Sequence, residues 1–453
     1  MNLFNLDLIN KYDTSGPRYT SYPSANNFDR LSIIEYKTQA NISNKNSNPL
    51  SIYCHIPFCD TVCFYCGCNK IATKDKTKSL DYLDYLFKEI DLQAEIFSNK
   101  RKVKQLHFGG GTPTFLSAAQ LKSLTKKLHS KFNFSSDGEY SIEIDPRGVN
   151  EETIATLREC LFNRISLGVQ DFNEDVQKAV NRIQSYEETK FVVDTARKYG
   201  FKSISIDLIY GLPLQTEDSF KKTLNLLTDI MPDRISLFNY AHLPHLFKPQ
   251  RRINVDELPS AYEKLNILQY SINFLLSVGY VYIGMDHFAL PDDPLYISQK
   301  NNELYRNFQG YSTYSNCDII GLGVSAIGSI ANSYSQNAKN INDYYQSLEK
   351  NEIPIAKGLI MNLDDEIRNY VITKLICNFK LNFSKVEDEY DINFKEYFKK
   401  ELNLLKAFQK DKLLELKNDS IKINTQGRLL IRSICMSFDA YLAKSNTLFS
   451  KII

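Results

Sequence analysis

The sequence has no excess of either charge. Lys and Arg number 55 and Asp and Glu number 53 among 453 residues, which gives a net charge of +2. A protein that binds nucleic acid mainly by neutralising phosphates carries a clear basic excess, so this class of protein is not expected. The composition, 43% hydrophobic and 24% charged, also excludes a disordered or fibrous chain.

The sequence also lacks a secretion signal and an uninterrupted membrane-spanning stretch. Asp7 stands among the first apolar residues and no basic stretch precedes them, unlike in a signal peptide. The charge-free stretch 265–285 is interrupted by polar residues, and its apolar residues follow helical spacing, as at Leu265, Leu268 and Ile272. We therefore predict a buried helix followed by a strand, in a cytoplasmic protein without a membrane span.

The cysteines are few and unevenly distributed. There are nine in all, and four fall close together, at Cys59, Cys63, Cys66 and Cys68. An odd total with one tight cluster suits neither a disulfide framework nor a secreted protein. It predicts a metal site in a reducing compartment.

Apolar runs of strand length alternate with segments of helical periodicity along the first three quarters of the chain. The predicted strands are 51–56, 103–108, 140–145, 164–170, 203–211, 234–240 and 280–285. The predicted helices include 80–97, 118–132, 151–160, 187–199 and 217–230. Such alternation is typical of a parallel α/β sheet or barrel.

The faces of these strands indicate which kind of sheet to expect. Small or polar residues alternate with branched apolar ones, and Glu143, Gln170 and Asp207 lie on the polar faces. A closed barrel fills its interior with bulky branched residues. We therefore predict an α/β fold with a partial, open parallel β/α barrel whose interior holds a large ligand. A doubly wound open sheet is the alternative.

Two flanking regions differ from the predicted barrel. Residues 1–35 show no clear periodicity and are predicted to form an ordered arm over the barrel mouth, with the barrel itself at 36–345. Residues 355–453 are predicted to form a mainly helical domain with a hairpin at 413–425 and a last helix at 427–441. Helices with a hairpin resemble a winged helix. However, the 16 basic and 13 acidic residues of 361–453 are too balanced for a nucleic-acid surface.

The cysteine cluster carries the strongest chemical signal. Cys59, Cys63 and Cys66 have the spacing C-x3-C-x2-C directly after the first predicted strand. Three thiolates on one loop can hold three irons of a cubane cluster and leave the fourth iron without a protein ligand. A zinc site with Cys68 or His55 as fourth ligand is the alternative, although zinc ligands normally come as pairs from separated segments.

These features resemble the radical S-adenosylmethionine superfamily. The glycine-rich residues 109–112 directly follow the second predicted strand and match that family's turn beside the methionine amino group. Glycine suits such a turn because it has no Cβ to keep the backbone from the ligand. The resemblance implies one [4Fe-4S] cluster and S-adenosylmethionine, which together supply a 5′-deoxyadenosyl radical.

Further motifs resemble the family of oxygen-independent coproporphyrinogen III oxidases (dehydrogenases). Cys68 completes that family's cysteine pattern. The other matching segments are YTSYP at 19–23, GVQDFN at 168–173, NR at 181–182, IDLIYGLP at 206–213, FNYAHLP at 238–244, MDHFA at 285–289, RNFQGY at 306–311 and GRLLIR at 427–432. The resemblance thus covers essentially the whole chain.

The resemblance implies specific site residues. Cys59, Cys63 and Cys66 would hold the cluster. The positions that match contacts to the cluster-bound S-adenosylmethionine are Tyr53, Tyr65, Gly110, Glu143 and Ile327. Those that match contacts to a second S-adenosylmethionine are Gly111, Thr112, Gln170, Arg182, Asp207 and Ala241. No catalytic residue beyond the cofactors is implied.

The implied reaction removes two propionate carboxyl groups from coproporphyrinogen III to give protoporphyrinogen IX in haem biosynthesis. It requires an electron donor for the cluster and an electron acceptor that the sequence does not identify, and we expect a monomer. Arg18 and Arg306 are candidate partners for substrate carboxylates on charge grounds. The alternatives are a haem chaperone of the same fold, which generally has an aromatic residue in place of Cys68, and an anaerobic haem-degrading methyltransferase.

Overall fold

A computed structural model of the protein describes residues 3–442. Residues 1–2 of the predicted arm and 443–453 of the predicted C-terminal domain lie outside the described residues. None of the helices in the described part is long and apolar enough to cross a membrane.

The strands in chain order are β1 (Leu50–Ile56), β2 (Phe58–Cys59), β3 (Ile71–Ala72), β4 (Lys102–Gly110), β5 (Asn133–Ile144), β6 (Arg164–Gln170), β7 (Ser203–Tyr210), β8 (Arg234–Asn239), β9 (Val281–Gly284), β10 (His287–Ala289), β11 (Tyr305–Asn307), β12 (Gly310–Ser312), β13 (Asp318–Leu322), β14 (Ile327–Ile330), β15 (Ser333–Asn337), β16 (Ile355–Ile360), β17 (Lys380–Asn382), β18 (Leu414–Leu416) and β19 (Ser420–Ile423).

The α-helices are α1 (Leu6–Tyr12), α2 (Ile33–Asn46), α3 (Lys78–Ala94), α4 (Ala118–Lys131), α5 (Glu151–Glu159), α6 (Glu174–Ala179), α7 (Tyr186–Lys198), α8 (Glu217–Ile230), α9 (Ala261–Ser277), α10 (Pro294–Lys300), α11 (Ile341–Glu349), α12 (Leu363–Asn378), α13 (Phe383–Tyr390), α14 (Phe394–Tyr397), α15 (Lys399–Lys410), α16 (Thr425–Leu429) and α17 (Ile431–Met436). Short 3-10 helices lie at Ala25–Asn27, Pro113–Phe115, Lys248–Arg252 and Val255–Glu257.

The chain divides into two compact units, which differ from the predicted division because contacts in space rather than chain order define them. Within the described residues, one unit contains 28–268 and 316–360, and the other contains 3–27, 269–315 and 361–442. The described part of the predicted arm thus divides at residue 27, and the stretch 269–315 separates from the rest of the predicted barrel.

The first of these units, the sheet unit, contains an open sheet in the order β16-β15-β14-β13-β1-β4-β5-β6-β7-β8. Strands β13, β1, β4, β5, β6, β7 and β8 run parallel, and β14 to β16 are antiparallel. The predicted parallel α/β class is therefore confirmed. The strand register sets Tyr53 beside His107 and His107 beside Ser141.

Alternation of residue types explains how the sheet is covered. In β6, Ile165, Leu167 and Val169 are buried, whereas Ser166 and Gly168 lie on the other face and are half-buried. Helices follow the strands, and α4, α7 and α8 begin at reciprocal caps, such as Ser185 with Glu188 at the start of α7. Such a cap satisfies backbone N–H groups that the first turn leaves unpaired.

The second unit, the helical unit, joins the N-terminal segment to the C-terminal helices. The Arg432 guanidinium donates hydrogen bonds to the carbonyls of Gly16 and Pro17, and Asn369 Nδ2 donates to the Tyr22 carbonyl at 3.0 Å. A small antiparallel sheet in the order β17-β19-β18 includes the predicted hairpin. Two predictions are corrected in this unit. The last helix is divided into α16 and α17, and the strand at 280–285 forms an antiparallel hairpin, β9 with β10, rather than a parallel strand.

Candidate active site

The cysteine loop follows β1 at the carboxyl end of the parallel strands and borders a cavity of about 330 Å³. Two hydrogen bonds hold the loop: Phe64 N–H donates to the Val180 carbonyl at 2.9 Å, and Asn181 Nδ2 donates to the Val62 carbonyl at 2.8 Å. Phe64 and Tyr65 also pack against a buried cluster of Val176, Val180, Leu212, Tyr240 and Ile253. The aromatic residues between the cysteines therefore fix the loop to the core.

All four clustered cysteines line this cavity, and none of the nine cysteines forms a disulfide. Burial raises the pKa of Cys59 to about 11, partly offset by a hydrogen bond from Thr112 Oγ1 at 3.6 Å. A hydrogen bond from Cys68, with Lys70 nearby, lowers the pKa of Cys66 despite its burial. In residues 3–442 no group of three His, Cys, Asp or Glu side chains is arranged around a single metal ion. The fit to an iron–sulfur cluster therefore depends on the thiol chemistry and spacing of the loop.

The glycine-rich turn lies against the start of the cysteine loop. A Cβ on Gly111 would lie 2.6 Å from the Phe58 carbonyl oxygen, and one on Gly110, whose φ is +114°, would lie 2.5 Å from the His55 ring. Gly111 N–H donates to the Ile56 carbonyl at 2.8 Å. Glycine is thus required for backbone packing as well as for approach to a ligand.

A chain of polar groups crosses β1, β4 and β5 beside this turn. His55 Nε2 donates to the Asn69 carbonyl at 2.9 Å, because that oxygen can only accept, so Nδ1 accepts from Tyr53 Oη at 3.0 Å. The Tyr53 ring stacks on His107 with centroids 5.8 Å apart, and His107 Nε2 lies 3.2 Å from Glu143 Oε1.

Glu143 is the last group in this series of polar contacts. Its Oε2 accepts a hydrogen bond from Gly110 N–H at 3.1 Å. Burial opposes ionisation, but the hydrogen bond from His107 and that from Gly110 outweigh it and lower the pKa of Glu143. Glu143 is therefore an anion at neutral pH, suited to a cationic amino group.

Arg182 occupies a second polar region of the cavity. Its Nη1 lies 3.2 Å from Asp145 Oδ2 and 3.6 Å from Cys63 Sγ, and its Nη2 donates to the Gly168 carbonyl. Asp145 Oδ1 also accepts a hydrogen bond from Arg147 Nε at 2.9 Å. Within the described residues, the buried Nε of Arg182 has no hydrogen-bond partner.

Gln170 is the last residue of β6, and Asp207 lies in the second half of β7. Burial raises the pKa of Asp207 to about 7, a hydrogen bond with Ser236 opposes this shift, and the charge of Glu143 adds to it. Two carboxyl groups of one cavity therefore have pKa values shifted in opposite directions, which is typical of functional sites. Gln170 has a φ of +70°, an uncommon conformation for a residue other than glycine, and is buried.

Most of the residues implied by the resemblance meet in this one cavity. Its lining includes Cys59, Cys63, Tyr65, Cys66, Gly110, Gly111, Thr112, Glu143, Gln170, Arg182 and Asp207. Tyr53, Ala241 and Ile327 do not line it. Tyr53 contacts the lining through His107. The Ala241 carbonyl accepts from Gln250 Nε2 at 3.2 Å, and the same nitrogen donates to the Tyr65 carbonyl. Ile327 lies on β14 and pairs with Gln336.

Two cations of the lining were not predicted from the sequence. Arg147 pairs with Asp145, and its Nη2 lies 3.9 Å from Cys63 Sγ. Lys70 Nζ donates to the Cys66 carbonyl at 3.0 Å. Their sequence positions, two residues after a strand-end carboxylate and four after a cysteine, are the signals that could have identified them.

The chain is similar to known proteins along most of its length. Residues 53–227 match the model of the radical SAM superfamily, and residues 361–430 match that of the HemN C-terminal domain. The oxygen-independent coproporphyrinogen III oxidase of Pseudomonas aeruginosa is 51% identical over 99% of both chains. Those of Escherichia coli and Helicobacter pylori are 47% and 42% identical, over 99% and 100% of this chain and 98% and 100% of theirs.

A solved structure is similar over the same range. The coproporphyrinogen III oxidase (HemN) from Escherichia coli, described as a radical SAM enzyme, superposes with a TM-score of 0.93 at 46% identity, covering 98% of this chain and 100% of that one. An open parallel sheet with a C-x3-C-x2-C loop after its first strand and a glycine turn after its second defines the radical SAM class, which implies a [4Fe-4S] cluster and S-adenosylmethionine. Within that class, the chain belongs to the family of oxygen-independent coproporphyrinogen III oxidases.

Proposed function

We propose that the protein catalyses the anaerobic oxidative decarboxylation of two propionate side chains of coproporphyrinogen III to vinyl groups, giving protoporphyrinogen IX in haem biosynthesis. The observation that carries the proposal is one cavity in which the cysteine loop, the glycine turn and the polar strand ends meet. Relatives named for this reaction match the chain from end to end. That match favours the oxidase over a haem chaperone or a haem-degrading methyltransferase.

The cofactors supply chemistry that side chains lack. No side chain can break an unactivated C–H bond as an acid or base, so the bound cluster and S-adenosylmethionine supply a radical for this step. Cys59, Cys63 and Cys66 hold the cluster through their thiolates. The aromatic anchors of the loop, the hydrogen bond from Thr112 to Cys59 Sγ and that from Lys70 to the Cys66 carbonyl keep the loop in place.

The first S-adenosylmethionine is held by Tyr53, Tyr65, Gly110, Glu143 and Ile327. Glu143 supports this assignment because it is ionised and lines the cavity, and an anion in that position stabilises an ammonium group. Gly110 presents backbone where a side chain would meet the His55 ring. Tyr53 acts through His107, which orients Glu143.

A second S-adenosylmethionine is held by Gly111, Thr112, Gln170, Arg182, Asp207 and Ala241. The buried Nε of Arg182, unpaired within residues 3–442, and the raised pKa of Asp207 support polar ligand contacts on this side of the cavity. The cavity, about 330 Å³, is at the lower end of the range of about 300–1,000 Å³ for ligand sites, so two cofactor molecules must extend beyond it. Binding stoichiometry is therefore the decisive measurement for this assignment.

The reaction also requires partners for electron transfer and a reducing compartment. The cluster needs an electron donor, and the oxidation needs an electron acceptor that takes one electron for each vinyl group formed. We propose that the enzyme works as a monomer in the cytoplasm, where its nine unpaired thiols stay reduced.

The test is an anaerobic assay of the reconstituted protein with coproporphyrinogen III, reductant and S-adenosylmethionine, with protoporphyrinogen and 5′-deoxyadenosine followed by chromatography. We expect both products from the wild type and neither from Cys63→Ser. Cys160→Ser is the matched control because that buried thiol lies at the end of α5, outside the cavity lining, and it keeps activity. If protein with a full cluster forms no protoporphyrinogen, or forms a methylated product instead, this result contradicts the proposal.

A further inference from the structure

Arg306 is a buried cation whose hydrogen-bond donors are not all used. It lies on β11 opposite Tyr311 of β12, and only 6% of the residue is exposed. Its guanidinium carbon stands 4.8 Å from the centre of the Tyr311 ring, and Tyr311 Oη donates to the Ile376 carbonyl at 3.2 Å. Within residues 3–442, neither Nε nor Nη1 of Arg306 has a hydrogen-bond partner.

The charged groups around Arg306 in the helical unit are mostly cationic. Arg18 Nη1 lies 2.6 Å from Asp286 Oδ2, and Arg432 donates to backbone carbonyls. Burial, and then the charge of Arg18, lowers the pKa of Arg432 to about 10, and Arg306 adds to this effect. Burial opposes ionisation of Asp286, yet Arg18, His287, Arg306 and Arg432 lower its pKa. Three guanidinium groups thus face one carboxylate, which Arg18 already engages.

This arginine cluster is defined as Arg18, Arg306 and Arg432 with Asp286, and its Arg306 and Arg432 are buried. A buried charge without a hydrogen-bonded partner is costly, so it favours a bound anion. Stacking on Tyr311 engages the face of the Arg306 guanidinium but leaves the in-plane N–H groups of Nε and Nη1 without a partner among residues 3–442. Arginine suits planar carboxylates in particular.

We propose that the arginine cluster binds a carboxylate of the porphyrinogen substrate, with Arg306 as the residue that donates to it. This inference rests on the proposed function, because that function supplies a ligand with several propionates, some of which the reaction leaves in place. Arg18 and Arg432 add positive charge near Arg306, and Asp286 positions Arg18 through their ion pair.

The test measures ligand binding separately from turnover. Cluster-loaded wild type and Arg306→Gln are titrated with coproporphyrin III, the fluorescent oxidised form of the substrate, and with its tetramethyl ester. Because Arg306→Gln loses a charge-assisted hydrogen bond, we expect its affinity for the free acid to fall on the order of 10- to 100-fold. Its affinity for the ester should change little. Arg428→Gln is the matched control in the same unit, because its guanidinium also lies 4.8 Å from an aromatic ring, that of Phe379, but outside the cluster.

The outcomes separate the two proposals. Equal binding of the free acid by wild type and a folded Arg306→Gln overturns the inference, even where the wild type is fully active. Wild type that binds the acid more tightly than the ester but does not decarboxylate it overturns the proposed function and not this inference. If Arg306→Gln does not fold, Arg306→Lys decides: weaker binding of the acid alone supports the carboxylate site, and unchanged binding overturns it.

Discussion

Arg182 Nη1 lies 3.2 Å from Asp145 Oδ2, so the arginine proposed for the second cofactor already has an internal counter-ion. Burial disfavours its charged form, but the charges of Tyr65, Asp145 and Cys63 outweigh this and raise the pKa of Arg182. Arg147 shares the same carboxylate. Arg182 and Arg147 can therefore be compared directly, because both contact Asp145 whereas Arg182 alone is assigned to the second cofactor.

Arg182→Ala is expected to keep its cluster and its first S-adenosylmethionine and to lose the second, together with decarboxylation. Removing one partner of a buried, hydrogen-bonded charge costs about 3–5 kcal/mol when the other is left unpaired, and here the ligand carboxylate is the group left behind. The measurement is S-adenosylmethionine bound per cluster in anaerobic equilibrium dialysis. Arg147→Ala is the control and should keep both equivalents. Two equivalents and full activity in Arg182→Ala would show that the assignment is wrong.

Substitution of the cysteines tests the three-ligand cluster. Cys59→Ser, Cys63→Ser and Cys66→Ser should each abolish iron loading and turnover, since three thiolates are the minimum for a cubane with one open iron. Cys68→Ser should keep its cluster, because the proposed ligand set does not include this residue. Iron and sulfide content after anaerobic reconstitution is the readout. A Cys68→Ser protein that takes up no iron would contradict the three-ligand assignment.

Periodicity predicted the elements that position the cavity. The bounds of β6 and α8 agree with the sequence pattern to the residue, because strict alternation in one and a capped amphipathic stretch in the other leave little freedom. Strand β15, Ser333–Asn337, was missed because its sequence SYSQN is polar although every residue is buried. The hairpin of β9 and β10 was missed because a short apolar run does not indicate strand direction.

The candidate site was predictable only where a motif marks it. The cysteine loop and the glycine turn are continuous in sequence, and strand alternation placed Glu143 and Asp207 on the polar face. The pairing of Arg182 with Asp145 joins residues 37 positions apart, and that of Arg18 with Asp286 joins residues 268 apart. Such pairs depend on how the elements pack, which local pattern does not specify.

Gly111→Ala tests the packing of the glycine turn. The added Cβ would lie 2.6 Å from the Phe58 carbonyl oxygen and 2.7 Å from the Pro57 carbonyl carbon, and backbone atoms cannot rotate away. We expect stability to fall by about 1–3 kcal/mol and cofactor binding to weaken, as for other overpacked sites. Thermal unfolding and S-adenosylmethionine binding measure this.

Gly168→Ala is the comparison for Gly111→Ala. Its Cβ would meet the ends of side chains, Gln170 Nε2 at 2.8 Å and Arg182 Nη2 at 3.1 Å, which can shift. This variant should keep most of its stability while its cofactor binding changes. Equal stability of both variants and the wild type would show that the turn tolerates a side chain.

The raised pKa of Asp207 predicts a pH-dependent contribution to stability. Burial, the largest cause, raises this pKa from 3.8 to about 7. Between these two values the folded protein holds a proton that the unfolded chain releases, so the free energy of unfolding falls as pH rises through this window. The loss approaches about 4 kcal/mol at pH values above the folded pKa. Asp207→Asn carries no charge, and its stability relative to wild type should therefore increase from about pH 5 to about pH 8.

Urea unfolding at several pH values, under anaerobic conditions with the cluster loaded, measures this difference. Asp137→Asn is the control: hydrogen bonds from Lys104 and Ser135 lower the pKa of Asp137 to about 2, so its folded and unfolded forms are both ionised from about pH 5 to about pH 8. The difference between Asp137→Asn and wild type should not vary with pH. If the difference between Asp207→Asn and wild type is equally flat, the carboxyl of Asp207 is ionised across the whole range and does not hold a proton in the cavity.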